Sequence, residues 1–166
     1  MKVLVFSDSH GAASHLYEML SKETDCNTVF FLGDGITEAE KMKDRFKDKK
    51  FLLVKGNNDW HSQADTEAYK YIEGLTIMAC HGHKFNVRFS LRDLLTSAQS
   101  VRANIALYGH THVCGMYNDP VTGICAINPG ALCDGKYAVL TLEKGAFDVD
   151  FKSIYQVSGS AQSLKY

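Results

Sequence analysis

The chain has no surplus of charge. Its 18 lysines and arginines stand against 19 aspartates and glutamates, a formal balance of −1 over 166 residues, with a pI near 6.6. Such a surface exerts no long-range pull on nucleic acid or an anionic membrane, so neither partner is expected. The densest basic stretch, Lys41, Lys43, Arg45, Lys47, Lys49 and Lys50, is interrupted by Asp44 and Asp48 and reads as a solvated helix face. No apolar run approaches the ~20 residues that cross a bilayer. No signal peptide precedes Met1-Lys2-Val3, which enters directly into a strand pattern. The cysteines (Cys26, Cys80, Cys114, Cys125, Cys133) form no C-x-x-C pair and read as reduced thiols of a cytoplasmic protein. Internal repeats, linkers and low-complexity segments are missing too. What remains is an ordinary globular composition, 45% hydrophobic and 22% charged. That composition and length predict a single domain over residues 1–166, able to bury ~70% of its unfolded surface.

The apolar runs Lys2 to Phe6, Thr28 to Leu32 and Phe51 to Val54 read as buried parallel strands. Between them, Ser14 to Lys22 (with Ser14 as N-cap) and Thr37 to Lys47 have helical spacing. This is β-α-β-α-β, the rhythm of a parallel sheet. Ala68 to Ile72 and Leu75 to Cys80 predict a hairpin through Glu73-Gly74. Ser90 to Arg102 predicts an amphipathic helix, and Ile105 to Tyr108 another buried strand. Four further strands follow, at Val113 to Tyr117, Gly123 to Ile127, Tyr137 to Leu142 and Phe147 to Ile154; Val157 to Tyr166 reads as a frayed tail. The fold class is therefore α/β: two facing mixed β-sheets flanked by helices, with the first half mostly parallel and the last part antiparallel. The strand Val113 to Tyr117 could pair across an interface, so a homo-oligomer is possible.

Metal-ligand residue types stand where these strand patterns run into turns. They are Asp8 and His10 in FSDSHG, Asp34 in FLGDG, Asn57 in VKGNND, His81 in ACHGH, and His110 and His112 in YGHTH. A polar residue just past a buried strand lies at the strand's carboxyl end, where open α/β sheets place their ligand sites. Convergence of five such ends gathers two carboxylates, four imidazoles and one amide, the inventory of a two-metal hydrolytic site. His110 and His112, two apart in an extended segment, face one side. Asp34 can offer one oxygen to each of two cations held about 4 Å apart.

The ordered series SDSHG, GDG, GNND, HGH, GHTH and NPGA (Asn128 to Ala131) resembles the calcineurin-like metallophosphoesterase superfamily, and within it the small single-domain bacterial and archaeal phosphodiesterases. The resemblance runs from Val3 to about Leu142 and implies the same α/β sandwich. It implies one metal on Asp8, His10, Asp34 and His112, and a second on Asp34, Asn57, His81 and His110. The N/O ligand set suits manganese, zinc, iron or nickel over magnesium or calcium, and manganese is taken first. The implied function is a metal-dependent phosphoesterase, foremost a phosphodiesterase, that hydrolyses a small phosphoester by attack of a metal-bridging hydroxide. The alternative is a protein-binding scaffold of the same fold, resembling a retromer subunit, with vestigial metal binding.

One position departs from the wider pattern. The superfamily commonly reads Gly-Asn-His-Asp, the His acting with the Asp on the leaving group; here the pair is Asn58 and Asp59. An amide donates a hydrogen bond but has no usable pKa, so Asn58 cannot be a general acid. Substrates with good leaving groups are expected, or a proton from water, His61 or His83. His83 is expected beside the site, orienting His81, touching substrate or capping a turn. Asn128-Pro129-Gly130 is expected to shape a loop that backs the site.

Overall fold

In the computed structural model, which describes residues 1–155, successive side chains of the first strand enter two different cores. β1 (Lys2–Phe6) turns Val3 and Val5 towards one apolar core and Leu4 and Phe6 towards another. A strand buried on both faces must lie inside a sheet covered on both sides. β1 pairs in parallel with β2 (Thr28–Phe31), which pairs in parallel with β3 (Lys50–Leu53). The helices α1 (Ala13–Lys22) and α2 (Ile36–Arg45) cover the outer face, burying Leu16, Met19, Leu20 and Ala39 against Phe6, Val29 and Phe31.

The second sheet repeats this plan. β4 (Glu67–Ile72) and β5 (Leu75–Cys80) form the expected hairpin; β6 (Ile105–Leu107) pairs in parallel with β5 and with β8 (Cys125–Asn128), and β7 (Gly115–Asn118) is antiparallel to β8 at the edge. α3 (Arg92–Ser100) packs Leu94, Leu95 and Ala98 on Met78, Ala106 and Ala126. Ile77, Ala79, Ile105, Leu107 and Ile127 point the other way, into the core shared with Val3, Val5 and Phe30 of the first sheet.

The strand orders are β10-β9-β1-β2-β3 and β4-β5-β6-β8-β7. The last part of the chain is antiparallel as expected in its β7–β8, β9–β10 and β1–β9 pairings, but it is divided between the two sheets. β8 is parallel to β6, whereas β9 (Lys136–Glu143) and β10 (Ala146–Ser153) cross back and extend the first sheet beside β1. Ala138 and Leu140 enter the inter-sheet core while Tyr137 and Val139 join the helix-covered one, so β9 is an interior strand.

Several element ends also shift. α1 begins one residue before Ser14, with Ala12 at its N-cap, so the serine is not the cap. α3 begins at Arg92 because Ser90 Oγ accepts the Arg92 N–H at 3.1 Å and holds the preceding turn outside the helix. β7 starts two residues late because Val113 is tied to Thr111 Oγ1 in the preceding loop. Lys49 is buried, donating to the Glu23 and Cys26 carbonyls at 3.0 and 2.8 Å, and so leaves the solvated face assigned to the basic run. The expected tail, Val157 to Tyr166, lies outside the described residues.

Candidate metal centre

The carboxyl ends of β1, β2, β3, β5 and β6 meet at one edge, and all seven ligand-type residues come together there. His112 Nε2 lies 3.3 Å from both Asp8 Oδ1 and His10 Nε2. His81 Nε2 lies 3.1 Å from Asn57 Oδ1, 3.2 Å from His110 Nδ1 and 3.5 Å from Asp34 Oδ2. Two groups result, one around His10 and His112 and the other around His81. Asp34 Oδ2 reaches both, at 3.9 Å from His10 and 3.5 Å from His81. Asp8 Oδ1 does as well, at 3.8 Å from His10 and 3.9 Å from His81. Position alone therefore offers two carboxylate oxygens as bridges, not Asp34 only.

The backbone is bent to achieve this. Asp8 (φ 55), His10 (φ 42), Asp34 (φ 56), His110 (φ 67) and His112 (φ 61) all adopt the left-handed conformation. Each costs roughly 1–2 kcal/mol for a residue with a Cβ, and tertiary contacts must hold it there. Those contacts are visible. The Asp8 N–H donates to the Gly33 carbonyl at 2.9 Å and the His10 N–H to the Asp34 carbonyl at 3.2 Å, tying the β1 and β2 loops together. Gly33 and Gly56 let the β2 and β3 loops touch: a Cβ on Gly33 would come within 2.3 Å of Gly56 N.

Asp59 is the clamp of the site. Its Oδ2 accepts the Asp34 and Gly56 N–H groups at 2.7 and 2.8 Å, and its Oδ1 accepts those of Gly35 and Ile36 at 2.9 and 3.0 Å. The carboxylate thus caps the N-terminus of α2 from another loop, where Gly35 has no side chain to do so. With both oxygens occupied, Asp59 positions Asp34. Asn58 holds the Asp34 carboxylate itself, its N–H donating to Asp34 Oδ1 at 2.8 Å and its Nδ2 to Asp34 Oδ2 at 2.6 Å.

The electrostatics show what the cluster is built to hold. His81 Nδ1 donates to the Leu32 carbonyl at 2.8 Å, so the neutral ring turns its Nε2 lone pair on the oxygens of Asn57 and Asp34 and on His110 Nδ1. Asp8 Oδ1 is buried and finds no hydrogen-bond partner among the described residues. Buried acceptors facing one another are unfavourable unless a positive charge lies between them. A proton on His81 Nε2 would supply such a charge. Burial pushes His81 down, but Asp34, Asp8 and the Leu32 carbonyl outweigh it and raise the imidazole above its ordinary value. Burial pushes the Asp34 carboxyl up, yet hydrogen bonds from His81 and Asn58 hold it well below the usual carboxylate range. His110 and His83 are lowered, by burial and then by the His81 charge.

A metal fits better than a proton. Cations bound at ~2.0–2.2 Å separate neighbouring N and O ligands by roughly 3.0–3.6 Å, and the closest contacts here span 3.1 to 3.5 Å. Two trios of ligand atoms, Asp8–His10–His112 and Asp8–Asp34–His81, each lie within 4.8 Å of one another.

The surrounding residues divide by what they touch. His83 is half-buried beside the cluster, its ring 5.4 Å from that of His81, with a buried Nδ1 that finds no partner among the described residues. Asn128 is fully buried; its Nδ2 donates to the Gly109 carbonyl and Thr111 Oγ1 at 2.9 and 3.0 Å, so it backs the loop that carries His110 and His112. His15 bonds the Leu132 carbonyl through Nδ1, a structural contact. Trp60 is 74% exposed. His61, Asn58 and Asp59 line a small cavity of about 170 Å³ at the start of α2. Two participants carried no sequence signal. Ser7 donates to Asp8 Oδ2 at 2.5 Å, and Arg88 reaches the His110 carbonyl at 3.4 Å.

Comparison with known proteins agrees with this geometry. The family model described as the calcineurin-like phosphoesterase superfamily domain matches residues 1–145. The chain is 28% identical over 157 residues to a protein of Bacillus subtilis (strain 168) named probable metallophosphoesterase YsnB, covering 91% of this chain and 90% of that one. Among solved structures, a conserved uncharacterized protein (predicted phosphoesterase) from Streptococcus pneumoniae TIGR4 matches with a TM-score of 0.79 at 27% identity, over 92% of this chain and 88% of that one. Vps29 of Entamoeba histolytica complexed with Zn²⁺ matches with a TM-score of 0.72 over 92% of this chain and 99% of that one. At 18% identity that last likeness speaks for the fold alone.

Proposed function

We propose, for a chain that belongs to the calcineurin-like phosphoesterase superfamily, that it is a phosphodiesterase working with two divalent cations on a small phosphoester. One observation carries the reading: acceptor atoms from five strand ends, those of Asp8, Asp34 and His81 buried, face one another at coordination-edge distances, with Asp8 Oδ1 left unpartnered among the described residues. Asp8, His10, Asp34 and His112 would hold one cation, and Asp34, Asn57, His81 and His110 the other. Bound there, the metals supply Lewis-acid charge for phosphoryl oxygens and lower the pKa of water. The chain's residues do the rest. Asp59 fixes the backbone of Asp34, Asn58 fixes both of its carboxylate oxygens, and the Leu32 carbonyl fixes the tautomer of His81. His83, its ring 5.4 Å from that of His81, would stand beside the substrate.

Asn58 brings no proton to the leaving group, and its amide is already committed to Asp34 Oδ2. The rate should therefore fall steeply as the leaving group becomes more basic. Metal analysis joined to a screen of mono- and diesters, cyclic nucleotides included, tests the activity. A series of aryl phosphodiesters of graded leaving-group pKa tests the role of Asn58. A flat dependence, unchanged in Asn58→His, would sink that role.

A scaffold function like that of the retromer subunit rests on the fold likeness alone and is weaker, because every ligand position here carries a competent side chain. Metal-loaded protein inert towards every ester, yet retaining a partner on affinity isolation, would reverse the order. A cytoplasmic location is in keeping with the cysteines, all free and three of them buried among the described residues. No helix among the described residues is long and apolar enough to cross a membrane.

A further inference from the structure

We propose that His112, Cys133 and Asp134 form an additional cation position on the rim of the metal centre, one that takes a thiophilic divalent ion such as zinc or cadmium. A ligand atom from each lies within 4.8 Å of the other two. Cys133 is half-buried and Asp134 exposed, so an ion can reach them from solvent.

The placement is held by the metal loop itself. The short 3-10 turn Leu132–Asp134 hangs from β1 and its loop through two hydrogen bonds, Leu132 N–H to the Ser7 carbonyl at 2.8 Å and Cys133 N–H to the Asp8 carbonyl at 3.1 Å. Cys133 is therefore anchored to the backbone of a residue whose side chain touches His112. Asp134 Oδ1 lies 4.0 Å from Cys133 Sγ, close to the edge that a zinc ion with one sulfur and one oxygen ligand imposes. Sulfur is the discriminating donor. The main cluster offers only nitrogen and oxygen, whereas a thiolate ligand selects soft and borderline ions. Binding breaks the S–H bond, releases the proton to solvent and forms a sulfur–metal bond, with no change of oxidation state.

His112 belongs to both ligand sets, so the two uses compete. Excess zinc would draw His112 away from Asp8 and slow hydrolysis, whereas manganese, a poor thiolate partner, would not. The site stands on its own geometry; the inhibition rests on the phosphoesterase reading.

The test is a cadmium titration of the full chain, preloaded with manganese, in a Cys114→Ser background that removes the exposed thiol. A thiolate-to-cadmium charge-transfer band should grow to one equivalent per chain and vanish in Cys133→Ser. Asp134→Asn should keep the band and weaken cadmium affinity on the order of tenfold, the scale on which even outer-shell partners act. A band that persists in Cys133→Ser, or never forms with Cys133 intact, overturns the site. In parallel, the zinc concentration that halves hydrolysis should rise at least about tenfold in Cys133→Ser. Equal inhibition of both proteins overturns the competition. Absence of hydrolysis in both counts against the phosphoesterase reading and leaves the site to be decided by the band.

Discussion

The two ends of the sheets use the same unusual backbone conformation for different reasons. At the end away from the metal centre, Glu73-Gly74 and Lys144-Gly145 close the β4–β5 and β9–β10 hairpins, with positive φ at both residues of each pair. Paired positive φ is what a two-residue hairpin turn needs to match the twist of its strands. The strain there is local, and a neighbouring glycine is part of the remedy. At the metal end, Asp8, His10, Asp34, His110 and His112 are left-handed because loops from different strands hold them so. Removing the Cβ at a hairpin turn improves the turn; removing it at the metal end removes the ligand. At the metal end the strain gives the local turn no benefit and is held by contacts between loops.

The largest expected break in that contrast is Asp34→Asn. One of the two oxygens that reach both histidine groups becomes an amide. Metal content should fall, and hydrolysis with it by about 10³-fold or more, given several kcal/mol of lost transition-state stabilisation. Metal analysis and steady-state rates measure both; retained metal with activity within tenfold of wild type would end the claim that this residue organises the site.

Next come two glycines of similar φ. Gly33→Ala drives a Cβ into the Gly56 backbone, at φ +95, and should cost about 3–5 kcal/mol. Gly145→Ala, at φ +84 with no atom within 4 Å of the new Cβ, should cost only about 1–2 kcal/mol. Denaturant unfolding of the two variants checks this, and equal losses would mean that the loop contact contributes nothing beyond conformation.

The smallest effects should come from relieving the strain directly. Lys144→Gly should stabilise the fold by about 1 kcal/mol or less, seen as a small rise in the midpoint of thermal unfolding, with metal affinity unchanged. His10→Gly should give a comparable small change in metal-free protein but weaken metal binding at least about tenfold. If both variants behave alike in the presence of metal, His10 is not a ligand.

Much of this could be read along the chain. The buried runs at Lys2 to Phe6 and Leu75 to Cys80, the Glu73-Gly74 turn and every ligand-type residue were legible because each depends on local pattern: short apolar runs, turn chemistry, and polar residues just past a strand. The return of β9 to the first sheet was not legible, since alternation fixes which face a strand buries and not which neighbour it chooses. Nor was the occupation of Asp59 by four N–H groups, the double reach of Asp8 Oδ1, or the nearness of Cys133 to His112.

The amino-acid order by itself determined the inventory: two carboxylates, four imidazoles and an amide, delivered at strand ends by short-range propensities. Only the tertiary structure decided which of them face one another, which are already spent on backbone hydrogen bonds, and which thiol stands beside them. Those outcomes depend on contacts between distant segments, 102 residues apart for His10 and His112, and no local preference encodes them.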